Sequence, residues 1–195
     1  MLLAMTADPN PRTGRPRSEH ARVAVLHAVD DLLVDIGYSA MTMKGIAERA
    51  GVGRQTVYRW WSTKAEILLE ACVTDARHEL AVRPRTDPAD DLLGYLKALT
   101  TFLTTSPAGL AYRALVGEAQ HDPAVRELVR EAQLLAISAS AVLERVRPAA
   151  PNMPELNLAS VQLDGPVVAY VLTGSEPLTS RQLKEHVTGL LKAWR

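Results

Sequence analysis

Disulfides, membrane spans and glycine-rich phosphate loops are all missing from this sequence. Its single cysteine, Cys72, closes no intrachain disulfide, which excludes a small secreted scaffold and fits a reducing, cytoplasmic setting. No apolar run approaches the roughly 18 to 20 residues a spanning helix needs, so no membrane partner is expected. The opening Met1-Leu2-Leu3-Ala4-Met5 is too short for a signal-peptide core and leads into Asp8 and Pro9, and Met5 is an alternative start. His-Glu-x-x-His zinc helices and clustered cysteines are also lacking. Glu118-Ala-Gln-His121 has the Glu-x-x-His spacing of a di-iron bundle, but such a site needs a second copy and two further glutamates. His27 and Asp31, one helical turn apart, read as a solvated helix edge. An enzyme is therefore not expected, nor any cofactor or metal.

The 22 basic and 22 acidic residues cancel, which argues against a basic coat over the whole surface. Their distribution is uneven. Between Asn10 and Lys64 stand nine Lys or Arg against five Asp or Glu, whereas residues 71–195 carry 13 against 14. Hydrophobic residues at 47% and charged residues at 23% are ordinary for a globular protein, and 195 residues suffice for one core or two unequal units.

Helix signals run the length of the chain, and strand-like alternation is lacking. Asp87-Pro88, Ser106-Pro107 and Asp122-Pro123 each set a capping oxygen before a proline at the first helical position. Thr63-Lys64-Ala65-Glu66 and Thr179-Ser180-Arg181-Gln182 read as capping boxes. Ser18 caps a first helix with Val25, Val29, Leu32, Leu33 and Ile36 on its apolar face, ended by Gly37. The spacing of Val125, Leu128, Ala132, Leu135, Ala139, Val142 and Val146 predicts one long helix from Asp122. A further helix, about 156–173, holds Pro166, which should kink it. The reading is all-α, with about nine helices.

Residues 42–61 are the most specific passage. Ala47 is small where two short helices cross, Gly51 supplies the left-handed turn and Val57 plugs the angle. Ile46, Ala50, Val52 and Trp60 complete the apolar seam. The second short helix then offers solvent Arg54, Gln55, Thr56, Tyr58 and Arg59, a face suited to a major groove, where Arg reads guanine and Gln reads adenine. Thr42 caps the first short helix, and Lys44 and Lys64 flank the motif to neutralise phosphates. A tight helical corner with a solvated face is the alternative. Ahead of the motif, Arg12, Arg15 and Arg17 lie among Pro11, Gly14 and Pro16, which reads as an extended arm able to enter the minor groove or as a solvated tail.

Thr42 to Lys64, preceded by Ile36-Gly37-Tyr38, resembles the N-terminal domain of the TetR family of bacterial regulators over about residues 18–72. The resemblance implies that residues 54–59 belong to the recognition helix, that Tyr58 and Lys64 contact phosphates and that Trp61 anchors the next helix. Where the family commonly has Ser or Thr, this chain has Gly53, which removes a side-chain cap. The implied organisation is a flexible basic arm (1–17), a three-helix helix-turn-helix domain (18–72) and a helical ligand-binding and dimerisation domain (73–195).

The expected partners are double-stranded operator DNA, a second copy of the chain and a small apolar or amphipathic effector. Leu163, Val167, Val171, Leu183, Val187, Leu190, Leu191 and Trp194 are the expected dimer interface, with ordinary core as the alternative. Tyr95, Phe102, Tyr112, His121 and Tyr170 are the candidate effector contacts, against the same alternative. The function expected is a repressor released by its effector; a ligand-independent DNA-binding dimer is the other reading.

Overall fold

The structure, a computed structural model, describes residues 14–195, with side chains from Glu19 onward. All of its regular elements are helices: α1 (Gly14–Ala40), α2 (Met43–Arg49), α3 (Arg54–Tyr58), α4 (Lys64–Glu79), α5 (Pro88–Thr105), α6 (Pro107–Glu118), α7 (Pro123–Ala132), α8 (Leu134–Val146), a 3-10 turn (Arg147–Ala149), α9 (Leu156–Leu172) and α10 (Ser180–Trp194). By its internal contacts the chain divides after Lys64, into Met1–Lys64 and Ala65–Arg195, earlier than the expected boundary after residue 72.

In the first unit α1 packs on α2 and α3. Val25, Val29, Leu32 and Leu33 are buried as expected, but Ile36 is half exposed. Gly37, at φ 74° and ψ 165°, breaks the helical path just beyond it, so Ile36 falls past the face that α2 and α3 cover.

The second unit is built around α5, which packs on α6, α8, α9 and α10 and buries Leu92, Leu96, Leu99, Phe102 and Leu103. Its start is fixed as expected: Asp87 Oδ1 accepts from the backbone N–H groups of Ala89 and Asp90, with Pro88 at the first position. Ser106 and Asp122 cap α6 and α7 in the same way, and Thr179 with Gln182 closes a capping box on α10. Between α5 and α6 the backbones touch. A methyl at Gly109 would lie 1.7 Å from the Phe102 carbonyl oxygen, so only glycine fits this corner.

The long helix expected from Asp122 is two. Gln133 takes left-handed angles (φ 43°, ψ 35°) between α7 and α8, an uncommon conformation for a residue with a side chain. The break resets the phase: Leu134 is buried, and Leu135, expected on the stripe, is only partly covered. Ten α-helices result among the described residues instead of about nine. Pro166 lies within α9. One turn earlier, the Gln162 side chain accepts a hydrogen bond from Trp194 Nε1 at 2.9 Å, which ties α10 to α9.

Candidate nucleic-acid interface and sensor core

The corner between α2 and α3 is set by local chemistry. Thr42 holds extended angles and its Oγ1 accepts from the Gly45 N–H at 3.0 Å, satisfying one orphan donor of α2. A side chain at Gly45 would press on that oxygen at 3.3 Å. At the other end Val52 N–H returns to the Ala47 carbonyl at 3.0 Å and Gly51 N–H to the Glu48 carbonyl at 3.2 Å. These are the paired bonds of a Schellman stop, and Gly51, at φ 66°, supplies its left-handed residue. Ile46, Ala47 and Val57 are buried to within 1% of complete. The seam is narrower than expected, since Ala50, Val52 and Trp60 are only partly covered.

Trp60 lies instead against two guanidinium groups, with Arg22 Cζ at 5.8 Å and Arg59 Cζ at 5.7 Å from its ring centroid. Trp61 is the buried member of the pair. On α3 and its C-cap Arg59, the side chains of Arg54, Gln55, Tyr58 and Arg59 are exposed and Thr56 is partly covered. Gly53 starts α3 without a side-chain cap.

The cations around the motif divide into committed and uncommitted groups. Arg49 is held by Asp35 at 2.7 Å and Asp31 at 3.7 Å, and the hydrogen bond to Asp35 raises its already high pKa. Lys44 pairs loosely with Glu48 at 3.7 Å, both well exposed. Lys64 donates to the carbonyls of Tyr38 at 2.7 Å and Met41 at 3.0 Å, with its ammonium 4.1 Å from the Tyr38 ring centroid. It therefore clasps the α1–α2 connection, a role its flanking position did not suggest. Among the described ion pairs none involves Arg54 or Arg59. Arg15 and Arg17, expected on an extended arm, stand in helical backbone because α1 begins at Gly14. Their side chains, and all of Arg12, lie outside the described residues.

In the second unit the five candidate effector contacts do not converge. Tyr95 and Phe102 are completely buried and Tyr112 partly so, all in the α5–α6 region. His121 is exposed in the turn after α6, and Tyr170 is 42% exposed on the outer side of α9. A groove of about 250 Å³ lies elsewhere, between Ala76 of α4 with Leu80 and Val82 just after it and α8 (Ile137, Val142, Arg145).

Sequence reasoning missed Asp164. It is 4% exposed on α9, its Oδ2 accepts from Tyr95 Oη at 3.4 Å and Ser160 Oγ at 3.3 Å, and its Oδ1 has no partner among the described residues. Burial pushes its pKa up to about 7, against the opposing pull of the Ser160 and Tyr95 hydroxyls. Burial, with Cys72 and Asp164 nearby, raises Tyr112 to about 12, and burial beside Asp164 lifts Tyr95 well above its ordinary value. Cys72 donates to the Ala108 carbonyl at 3.2 Å. No local signal marks Asp164, whose partner Tyr95 is 69 positions away. Among the described residues no group of three His, Cys, Asp or Glu gathers to hold a metal, and no helix is long and apolar enough to cross a membrane.

The expected dimer residues face inward. Leu163, Val167, Val171, Leu183, Val187, Leu191 and Trp194 are buried in the chain's own core, and Leu190 is partly covered. The outer face of α9 carries another apolar set: Leu158 (53% exposed), Val161 (66%), Val168 and Leu172, with Gly165 in the middle. Their spacing of three, four, three and four keeps them on one side of the helix.

The family model for bacterial regulatory proteins of the tetR family matches residues 25–71. The HTH-type transcriptional regulator YdeS of Bacillus subtilis is 36% identical over 119 residues, 61% of this chain and 60% of that protein. The HTH-type transcriptional activator FasR of Mycolicibacterium smegmatis is 31% identical over 107 residues, 51% of this chain and 48% of that protein. The matches to these curated relatives thus span about half to 60% of their length. The crystal structure of the TetR family transcription regulator SCO0332 superposes with a TM-score of 0.72 at 30% identity, covering 89% of this chain and 98% of that one.

Proposed function

The chain belongs to the TetR family of bacterial regulatory proteins, and from that premise we propose that it is a cytoplasmic homodimeric repressor, released from its operator by a small-molecule effector. The family is one of transcription regulators with a DNA-binding helix-turn-helix, not of enzymes. The observation that carries the reading is α3: Arg54, Gln55 and Arg59 are exposed together with no acidic partner among the described residues. Arg54, Gln55 and Arg59 read base edges; Thr42, Lys44, Thr56 and Tyr58 hold the phosphates on either side. Arg15 and Arg17 add phosphate or minor-groove contacts ahead of α1. Lys64 acts mainly by fixing the corner that aims α3.

Dimerisation is supported by α9, which is apolar on both faces. A helix hydrophobic all round is normally buried all round, so a second copy covers Leu158, Val161, Val168 and Leu172 across a two-fold axis. A methyl built at Gly165 meets nothing within 4 Å in its own chain; the bare backbone there lets the partner helix come close. An effector that binds one conformation of the second unit shifts the two α3 helices away from the separation of one DNA turn. The ligand-independent dimer is the second reading, favoured by the complete burial of Tyr95 and Phe102. FasR is by its name an activator, so the sign of regulation is tested separately.

Selection of duplexes from a random-sequence library by the full-length protein, followed by footprinting, tests the reading. Enrichment of a palindrome with two protected half-sites one helical turn apart, or a multiple, is the expected result. Recovery of sequences bound no more tightly than the starting pool refutes it. A reporter fused to the selected operator should rise when the gene is deleted, and a fall would make the protein an activator.

A further inference from the structure

The second unit buries two carboxylates and treats them differently. Asp91 on α5, 2% exposed, receives two hydrogen bonds from Arg145 on α8, Nε to Oδ2 at 2.8 Å and Nη2 to Oδ1 at 3.0 Å. It shows how this fold compensates an interior acid. Asp164 has only two long hydroxyl contacts, both on one oxygen, and no cation among the described ion pairs. Both of its protonation states leave a defect: ionised, Oδ1 lacks a donor; protonated at Oδ1, the O–H lacks an acceptor. An unsatisfied buried polar atom of this kind is costly and calls for an explanation.

The surroundings narrow the chemistry. Polar groups come to Asp164 from several helices: Tyr95 on α5 and Ser160 on α9 touch it, and Tyr112 on α6 is close enough to feel both Asp164 and Cys72 of α4. Of these groups Tyr112, on α6, is the one that is partly exposed. An anion would be repelled by the carboxylate. A hard metal ion needs several oxygen ligands with more than one carboxylate's charge. The Tyr95 and Tyr112 rings, with buried Leu99 and Leu163 within a turn of the cluster, suit an apolar body behind a single cationic head.

We propose that this cluster is a receptor for an aryl- or alkylamine whose protonated nitrogen donates to Asp164 Oδ1, doing there what Arg145 does for Asp91. The proposal rests on the reading of the second unit as a sensor and names the effector's class. The ammonium group binds the ionised carboxylate, the Tyr95 and Tyr112 hydroxyls line its path, and the apolar remainder lies against α5 and α9.

The test uses the full-length protein with benzylamine and its neutral and anionic counterparts, benzyl alcohol and benzoate, at pH 8. Calorimetry gives affinity, and the ¹³C carboxyl resonance of Asp164 reports the site directly. Benzylamine should bind most tightly and move that resonance, and Asp164→Asn should weaken it by about 30-fold or more while leaving benzyl alcohol unchanged. Tyr112→Phe, a milder change, should weaken benzylamine several-fold and keeps the test open if the Asn variant folds poorly. Equal affinity of the Asn variant, or an Asp164 resonance indifferent to benzylamine up to its solubility limit, overturns the proposal. Anisotropy of a selected operator separates the two readings. Benzylamine bound at Asp164 with DNA still held keeps the receptor and refutes the effector role, whereas release by benzoate with the Asp164 resonance indifferent to benzylamine keeps the effector role and overturns the receptor.

Discussion

Replacing Asp164 by Asn should change how stability depends on pH more than it changes the fold. The carboxyl is 4% exposed and its pKa is raised from 3.8 to about 7, chiefly by burial. A raised acid pKa means that the folded protein binds more protons than the unfolded chain across that window. Stability therefore falls as pH rises from about 4 to 7, and levels off above it. At about 1.4 kcal/mol per pH unit the full penalty is on the order of 4 kcal/mol. More than half of it accrues between pH 5 and pH 8. Asn has the shape of the neutral carboxyl and does not titrate. Other ionisable groups contribute alike to both proteins and cancel in the difference. Urea unfolding of the two proteins, followed by far-UV circular dichroism at one fixed protein concentration, measures that difference at pH 5, 6, 7 and 8. The Asn variant should gain on the parent steadily to pH 7 and then hold its advantage. A difference that is flat with pH would mean that Asp164 is hydrated and titrates normally in the folded protein, and the reasoning from an uncompensated interior charge would fail.

Four further outcomes follow from the geometry. Changing Arg54, Gln55 or Arg59 to Ala should weaken operator binding by about 1 to 3 kcal/mol each and relax base preference, read by anisotropy on matched and mutated operators; unchanged preference would remove α3 from base readout. Lys64→Met breaks two charge-assisted bonds to the Tyr38 and Met41 carbonyls and should destabilise the first unit by about 2 kcal/mol, seen as a lower urea midpoint in Trp60 and Trp61 fluorescence. Gly109→Ala drives a methyl into the Phe102 carbonyl and should cost about 3 kcal/mol or prevent folding, judged by thermal melting. Val161→Glu places a charge on the outer stripe of α9 in both copies and should weaken the dimer by at least about 3 kcal/mol; light scattering that still reports a dimer would move the interface elsewhere.

What the sequence disclosed was whatever its near neighbours decide. The caps at Asp87, Ser106, Asp122 and Thr179 involve residues two or three positions apart, and the Gly51 turn is closed by bonds spanning three to five. Both are legible from a short window. The break at Gln133 is not, because no Gly, Asn or Pro stands there and the apolar spacing runs on unbroken through it. The apolar face of α9 toward the core was equally illegible: where Leu158, Val161 and Leu172 are as apolar as Leu163, Val167 and Val171, periodicity has nothing to contrast. Periodicity alone therefore does not separate the inward residues from the outward ones. The carbonyls that Lys64 meets lie 23 and 26 residues upstream, beyond the reach of a local pattern.

Charge compensation divides residues of this chain that residue type and exposure leave alike. Arg49 and Arg54 are both exposed arginines beside the same turn, yet the first is held by two aspartates of α1 and the second, among the described residues, by no acid. Asp91 and Asp164 are both buried aspartates of one core, yet the first has a guanidinium on both oxygens and the second has none. A fold that matches one member of each pair so fully has the means to match the other: an acid placed near α3 or a base near α9 would serve. Leaving an arginine uncompensated in water costs little, so Arg54 is free to meet phosphate or guanine at small expense in stability. Leaving a carboxylate uncompensated in the core costs several kcal/mol, so Asp164 is the stronger indication of the two, and a cation supplied from outside would recover that energy as binding affinity.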